Sequence, residues 1–219
     1  MLLCGTGNER HNFYLFKEMK DLYTQISDWM DTHGDGWSTK PKVAALVGAI
    51  LALRPNVVLE IGLWSGKSFI PQAMALKHLN SKGCIIGIDP WSASASIEGQ
   101  EGDHKDWWAK APHERIYKQF TDEIVKAGVS PWCKVFRCRS DEWNIPEGIE
   151  FDLLHVDGNH GEAASNYDLL HYVPRVRIGG VLFWDDLLWS EKASSKIETL
   201  GFRKLFLEDT GAMYQRIKK

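Results

Sequence analysis

The chain has 219 residues, of which 44% are hydrophobic and 25% charged, with a formal net charge of −3. At ~100–200 residues per domain, this is the composition of one large soluble domain. It has no ~18-residue apolar run to span a membrane and no basic surplus to grip nucleic acid broadly.

Apolar residues at threes and fours predict a helix over 9–31, from Phe13 and Phe16 through Met19, Tyr23 and Ile26 to Met30. His33-Gly34-Asp35-Gly36 stops it, and Ser38 or Thr39 caps a second helix, with Pro41 near its start, that runs to about Leu53. Val57–Ile61 is a short apolar run, as a central parallel strand requires. A helix over 66–79, a strand over 84–89, helical sequence over 105–127 broken at Pro112, and a strand over 134–139 follow. A strand over 151–157, a helix over 162–173, a strand over 180–186 and a helix over 191–200 continue the alternation. Residues 202–207 and 212–217 form a terminal hairpin. The stretch from Ser92 to Lys105 is small and polar and reads as a long loop.

Strands spaced by helices predict an α/β, Rossmann-like, doubly wound sheet of seven mostly parallel strands, closed by a C-terminal antiparallel hairpin. N-terminal helices over 1–38 precede a main domain over 39–219, which carries an insertion at about 92–112. The opening MLLCGTGNERHNF lacks a basic, apolar signal pattern, so a cytoplasmic location with reduced thiols is expected. Cys4, Cys84, Cys133 and Cys138 have no zinc spacing and read as structural or incidental.

In such sheets ligands bind beyond the carboxyl ends of the strands. There the chain places Glu60-Ile61-Gly62-Leu63-Trp64-Ser65-Gly66-Lys67-Ser68, a glycine-containing turn into a helix start that can face an anion. With three residues between its glycines it is one residue short of a phosphate loop. Asp89 closes the second strand, where a carboxylate can accept both hydroxyls of a ribose. Asp157 ends the fourth strand, and Asp185 and Asp186 end the fifth. Three converging carboxylates repel one another unless neutralised, and magnesium is the simplest neutraliser. The alternative is that one caps a helix and another faces water. His160, just past Asp157, is a candidate general base, or a helix-start histidine bonding locally. His155 reads as a core histidine.

With these residues in place, the chain from Thr39 to Lys219 resembles the class I S-adenosylmethionine-dependent methyltransferases. Within them it is most similar to the small metal-dependent O-methyltransferases of the catechol and caffeoyl-CoA type and the cephalosporin-hydroxylase-like branch. The resemblance implies S-adenosylmethionine as cofactor, held by Glu60, Gly62, Trp64, Ser65, Gly66 and Ser68, with Asp89 and Trp91 at the ribose. It implies Ser140 and Asp141 at the adenine and Asp157 beside the methyl donor. It further implies magnesium on Asp157, Asp185 and Asp186, with His160 standing where the family has a lysine base and Asp186 where it has an asparagine. A metal-independent methyltransferase and a hydroxylase-like or non-catalytic relative remain open, as, more distantly, does a phosphate-loop NTPase.

Ten tryptophans, against nine phenylalanines and six tyrosines, are the compositional oddity. Trp29 and Trp132 read as core. Others adjoin strand ends, and Trp91, Trp107 or Trp108 is expected to wall a cleft for adenine or for an apolar or aromatic small-molecule acceptor. No nucleic-acid or membrane partner is expected, and a homo-oligomer stays open.

Overall fold

The computed structural model describes residues 7–33, 35–208 and 210–218, with side chains from residue 19 onward. The expectations for Cys4 and for the buried sides of Phe13 and Phe16 fall outside it. Strands β1 (Val57–Ile61), β2 (Cys84–Ile88), β3 (Cys133–Phe136), β4 (Phe151–Val156), β5 (Val176–Trp184), β6 (Phe202–Glu208) and β7 (Gly211–Arg216) form one sheet in the order β3-β2-β1-β4-β5-β7-β6. The first five are parallel. β7 runs antiparallel to both β5 and β6, which is the predicted hairpin.

Alternation along the strands splits the interior into two cores. Val58, Ile85, Leu153, Val181 and Phe183 point to one face. There they meet α1 (Gly7–Thr32) through Leu22 and Ile26, and α2 (Lys40–Leu53) through Leu46 and Ile50. On the same face α3 (Phe69–His78) adds Phe69 and Ile70, and α6 (His113–Lys126) adds Ile116 and Phe120. Leu59, Ile86, Leu154, Leu182 and Tyr214 point the other way, against Leu169 of α7 (Glu162–His171) and Ala193 of α8 (Glu191–Ser194). The expected cap of α2 is Thr39, whose hydroxyl accepts from the Lys42 N–H at 3.2 Å.

Four local expectations change. The stretch read as a loop after β2 folds into α4 (Ala93–Ser96) and α5 (Gly102–Lys110). Residues 105–110 of α5 fall within the expected helical sequence, whereas α4 and the first turn of α5 do not, and neither helix has a buried apolar stripe. Asn159 fastens this segment instead, its amide donating to the carbonyls of Ala95 and Glu98, each at 2.9 Å. The helix after β1 starts at Phe69 rather than Gly66, because residues 62–68 are spent on a turn. β5 begins at Val176, ahead of a register shift, with Gly179 at φ +80°. The helix expected over 191–200 splits into α8 and a 3₁₀ turn, Ile197–Leu200. Ser194 helps break it, since its hydroxyl bonds the Leu187 carbonyl at 3.1 Å.

Candidate functional site

Register alone aligns the strand-end residues. Ile61 pairs with Ile88 on one side and with Val156 on the other, and Val156 pairs with Trp184. The next residues, Gly62, Asp89, Asp157 and Asp185, therefore form one row along the carboxyl edge. A cavity of about 880 Å³ opens over that row. Its size lies near the upper end of the ~300–1,000 Å³ range of ligand pockets.

At one end Asp89 organises the turn after β1. Its Oδ2 accepts from the backbone N–H groups of Leu63 (2.9 Å) and Trp64 (3.0 Å), and its Oδ1 from that of Trp91 (2.7 Å). Burial raises its pKa against the pull of these three donors. Gly62, Trp64, Ser65, Ser68, Ser140 and Asp141 line the same cavity. Gly66, at φ +82°, turns the chain where a side chain would strike Phe120.

Two expected cofactor contacts are placed elsewhere. Glu60 is fully buried beneath the turn, where it accepts from Ser68 Oγ at 2.6 Å and from the Gln72 amide. It supports the loop from below, because strand alternation turns it toward α3. Trp91 is 2% exposed and packs against Tyr117 and Phe120, with its indole N–H donated to the Trp64 carbonyl at 2.7 Å. Its left-handed φ of 42° swings the ring into the core rather than into the cavity wall.

The wall is built from other tryptophans. Trp37, Trp64, Trp107 and Trp108 cluster with ring centroids 4.9–6.1 Å apart. Trp37 and Trp107 remain 64% and 46% exposed, so these rings offer apolar surface that the core has not consumed. Trp37 was not singled out by sequence, since only the folded chain brings it to the insertion. Trp29 is buried and Trp132 half-buried, as expected.

At the other end the carboxylates converge, and cations of the chain itself meet them. His155 and Glu60 are register partners on adjacent strands, with Nδ1 3.3 Å from Oε2. The His155 Nε2 lies 4.0 Å from Asp157 and 3.9 Å from Asp185. Burial would lower its pKa, but Glu60 and Asp185 outweigh that and push it up to about 10. The histidine expected in the core is fully buried there, among three carboxylates. Lys42 reaches the same place from α2, and its ammonium bonds Asp185 Oδ2. Burial lowers the Lys42 pKa, and the charges of Asp157, Asp185 and Asp186 more than restore it. Burial likewise works against Asp185, which His155 and Lys42 nonetheless hold below the usual carboxylate range. Asp157 is raised by burial and by the Asp185 charge. Asp186, at φ 49°, turns to the opposite side and accepts from His160 Nε2 at 2.8 Å.

A divalent cation needs carboxylate oxygens with unspent lone pairs. Asp185 has little to spare: Oδ2 takes Lys42, and Oδ1 accepts from the Asp186 N–H and the Thr210 hydroxyl, each at 3.0 Å, so three of about four lone-pair sites are used. Asp186 is engaged by His160 through Oδ2. Among the three expected ligands, only the Asp157 carboxylate makes no hydrogen bond to a described residue. The residues converge as expected, with Asp157, His160 and Asp186 offering ligand atoms within 4.8 Å of one another, but Lys42 and His160 already engage two of the three carboxylates. Lys42 supplied no motif, yet it was visible as the one charged position on the stripe 42, 46, 50 of an otherwise apolar helix.

Comparison with known proteins follows the same line. A family model described as "Methyltransferase domain" matches residues 59–187. Curated protein sequences give no match. Among solved structures, the chain is similar to the O-methyltransferase NovP, at 15% identity and a TM-score of 0.63, over 94% of this chain and 99% of that one. It is similar to the O-methyltransferase TomG from Streptomyces achromogenes, involved in tomaymycin synthesis and solved with SAM, at 14% identity and TM-score 0.60, over 92% and 90% of the two chains. An O-methyltransferase from Bacillus cereus in complex with SAH matches at 12% identity and TM-score 0.59, over 99% and 94%.

Proposed function

The chain belongs to the methyltransferase-domain family, and from that premise we propose that it transfers the methyl group of S-adenosylmethionine to a hydroxyl oxygen of a small, partly aromatic molecule. The observation that carries this reading is the continuity of one cavity. The Asp89-ordered turn lies at one end, the His160–Asp186 pair at the other, and indole rings form the wall. Two structural neighbours crystallised with SAM or SAH are named O-methyltransferases, which adds support by analogy of fold.

In this reading the ribose hydroxyls donate to the remaining lone pairs of Asp89, and the adenine lies toward Ser140 and Asp141. The acceptor stacks on the tryptophans with its hydroxyl toward Asp157 and His160. The hydroxyl oxygen attacks the methyl carbon in line with sulfur. The C–O bond forms as the C–S bond breaks, and sulfur keeps the electron pair. The proton passes to His160. A neutral His160 that donates from Nε2 to Asp186 leaves Nδ1 as the basic nitrogen, and Asp186 then stabilises the imidazolium. Holding the two reactants in line supplies most of the remaining rate.

Calorimetric titration tests the cofactor: S-adenosylmethionine binds with ~micromolar affinity and ATP–magnesium does not. The reverse preference overturns the reading in favour of a nucleotide hydrolase. The same titration read by tryptophan fluorescence changes the emission, because Trp64 lines the cavity. A screen of phenolic and other hydroxyl acceptors with labelled methyl donor then identifies the product.

A further inference from the structure

We propose that the Lys42 ammonium is the resident cation of the carboxylate cluster and supplies the positive charge at the acceptor end of the cavity, in the place where the sequence resemblance implied a divalent metal. The inference rests on the methyltransferase reading of this cavity.

Lys42 is 4% exposed, so its charge is not a surface accident. An ammonium is taken out of water only where anions receive it. The receiving anions are Asp185, which its Nζ bonds directly, and beyond it Asp157 and Asp186. The backbone around Lys42 is fixed to aim it. Its own N–H donates to the Thr39 hydroxyl at 3.2 Å, and that hydroxyl donates to Glu208 Oε1 at 3.2 Å. Lys42 therefore stands at the first turn of α2, pinned at both the helix start and the far hairpin.

Glu60, Asp157, Asp185 and Asp186 converge on this place. Lys42 meets them there with a positive charge that depends on no histidine. A divalent cation bound at Asp157 would meet the ammonium and would have to share the Asp185 carboxylate with Lys42, Thr210 and the Asp186 N–H. A lysine fixed to Asp185 instead leaves Asp157 unpaired at the cavity and lends it a positive neighbour. An acceptor oxyanion forming there is stabilised by a charge the protein already carries. Lys42 acts through Asp185 and through the field at Asp157, so its role is positioning.

Manganese alone is the probe, because free Mn²⁺ is read directly by electron paramagnetic resonance and no acceptor is needed. The full chain, saturated with S-adenosylhomocysteine, is expected to show no Mn²⁺ site tighter than ~1 mM. Lys42→Met frees the Asp185 carboxylate and gains Mn²⁺ affinity at least ~10-fold. Lys42→Arg keeps the charge and shows no gain. Adding Asp185→Asn to Lys42→Met abolishes the gain. The proposal is overturned if the unmodified chain binds one Mn²⁺ below ~100 µM and Asp157→Asn removes that binding. It is overturned equally if Lys42→Met folds by circular dichroism and gains nothing. Should Lys42→Met not fold, the titration of the unmodified chain decides alone. Failure of S-adenosylhomocysteine to bind the unmodified chain sinks the methyltransferase reading, and the Mn²⁺ titration without it still reports on Lys42.

Discussion

Gly62 passes so close to Asp157 that a Cβ at position 62 would lie 2.0 Å from the Asp157 carbonyl oxygen and 2.8 Å from the Gly158 Cα. The turn after β1 and the end of β4 are thus stacked backbone on backbone. This close approach is what brings the Asp89-ordered loop and the carboxylate cluster into one cavity.

Gly62→Ala is therefore expected to do more than strain a φ of +84°. The atom it meets is backbone and cannot swing away, so the two loops must part. We expect a loss of ~3 kcal/mol or more in unfolding free energy. Urea unfolding measures it, and an alanine variant as stable as the parent contradicts the packing.

The His160–Asp186 pair sets a pH dependence whose sign is fixed. Burial lowers the His160 pKa, but the Asp186 hydrogen bond and charge outweigh it and raise it above 6.5. As a base His160 works when neutral, so turnover rises as pH climbs through this raised value. Asp186→Asn moves the inflection to lower pH, and His160→Ala lowers turnover by ~10²–10⁴. As a stabilising pair the sign is opposite. Its contribution is complete below the unfolded pKa of ~6.5 and is lost as pH rises through the folded value. Ring-proton NMR of His160 across pH 5–9 in both proteins checks the shift without any acceptor, and an unmoved titration in Asp186→Asn refutes the pairing.

Asp168 is 1% exposed at the cavity edge, and its Oδ1 finds no hydrogen-bond partner among the described residues. Burial pushes its pKa up to about 7, only partly opposed by the Ser140 hydroxyl. A carboxyl raised in this way costs the fold stability as pH climbs past its unfolded value, and the full cost is reached above 7. Asp168→Asn should therefore stabilise the chain by roughly 2–4 kcal/mol at pH 8 and by almost nothing at pH 4. Urea midpoints at the two pH values test it, and equal gains at both would exclude a charge effect.

The order of strands and helices was legible in the sequence because burial is periodic. Val57–Ile61 reads as a central strand and 151–157 as a strand, and β1 and β4 stand side by side in the middle of the sheet. Gly62, Asp89, Asp157 and Asp185 could be picked out for the same reason, since a parallel sheet lines up its strand ends. Helix α4 and the start of α5 were not legible, because the segment is held by Asn159 and by clustered indoles rather than by a buried stripe.

What the sequence by itself determined is the doubly wound sheet, the edge where a ligand sits, and the excess of negative charge at that edge. What neutralises that charge was decided only by tertiary structure. Lys42 and Asp185 are 143 residues apart, and His155 meets Glu60 across two strands. Periodicity reports whether a residue is inside, but not which distant residue it faces there. For a buried charge the facing partner decides everything, because in a low-dielectric interior the pairing sets the protonation state. The sequence could count three carboxylates and infer a cation. In the fold Lys42, on the buried face of the second helix, meets Asp185 at that place, and it is the cation we propose.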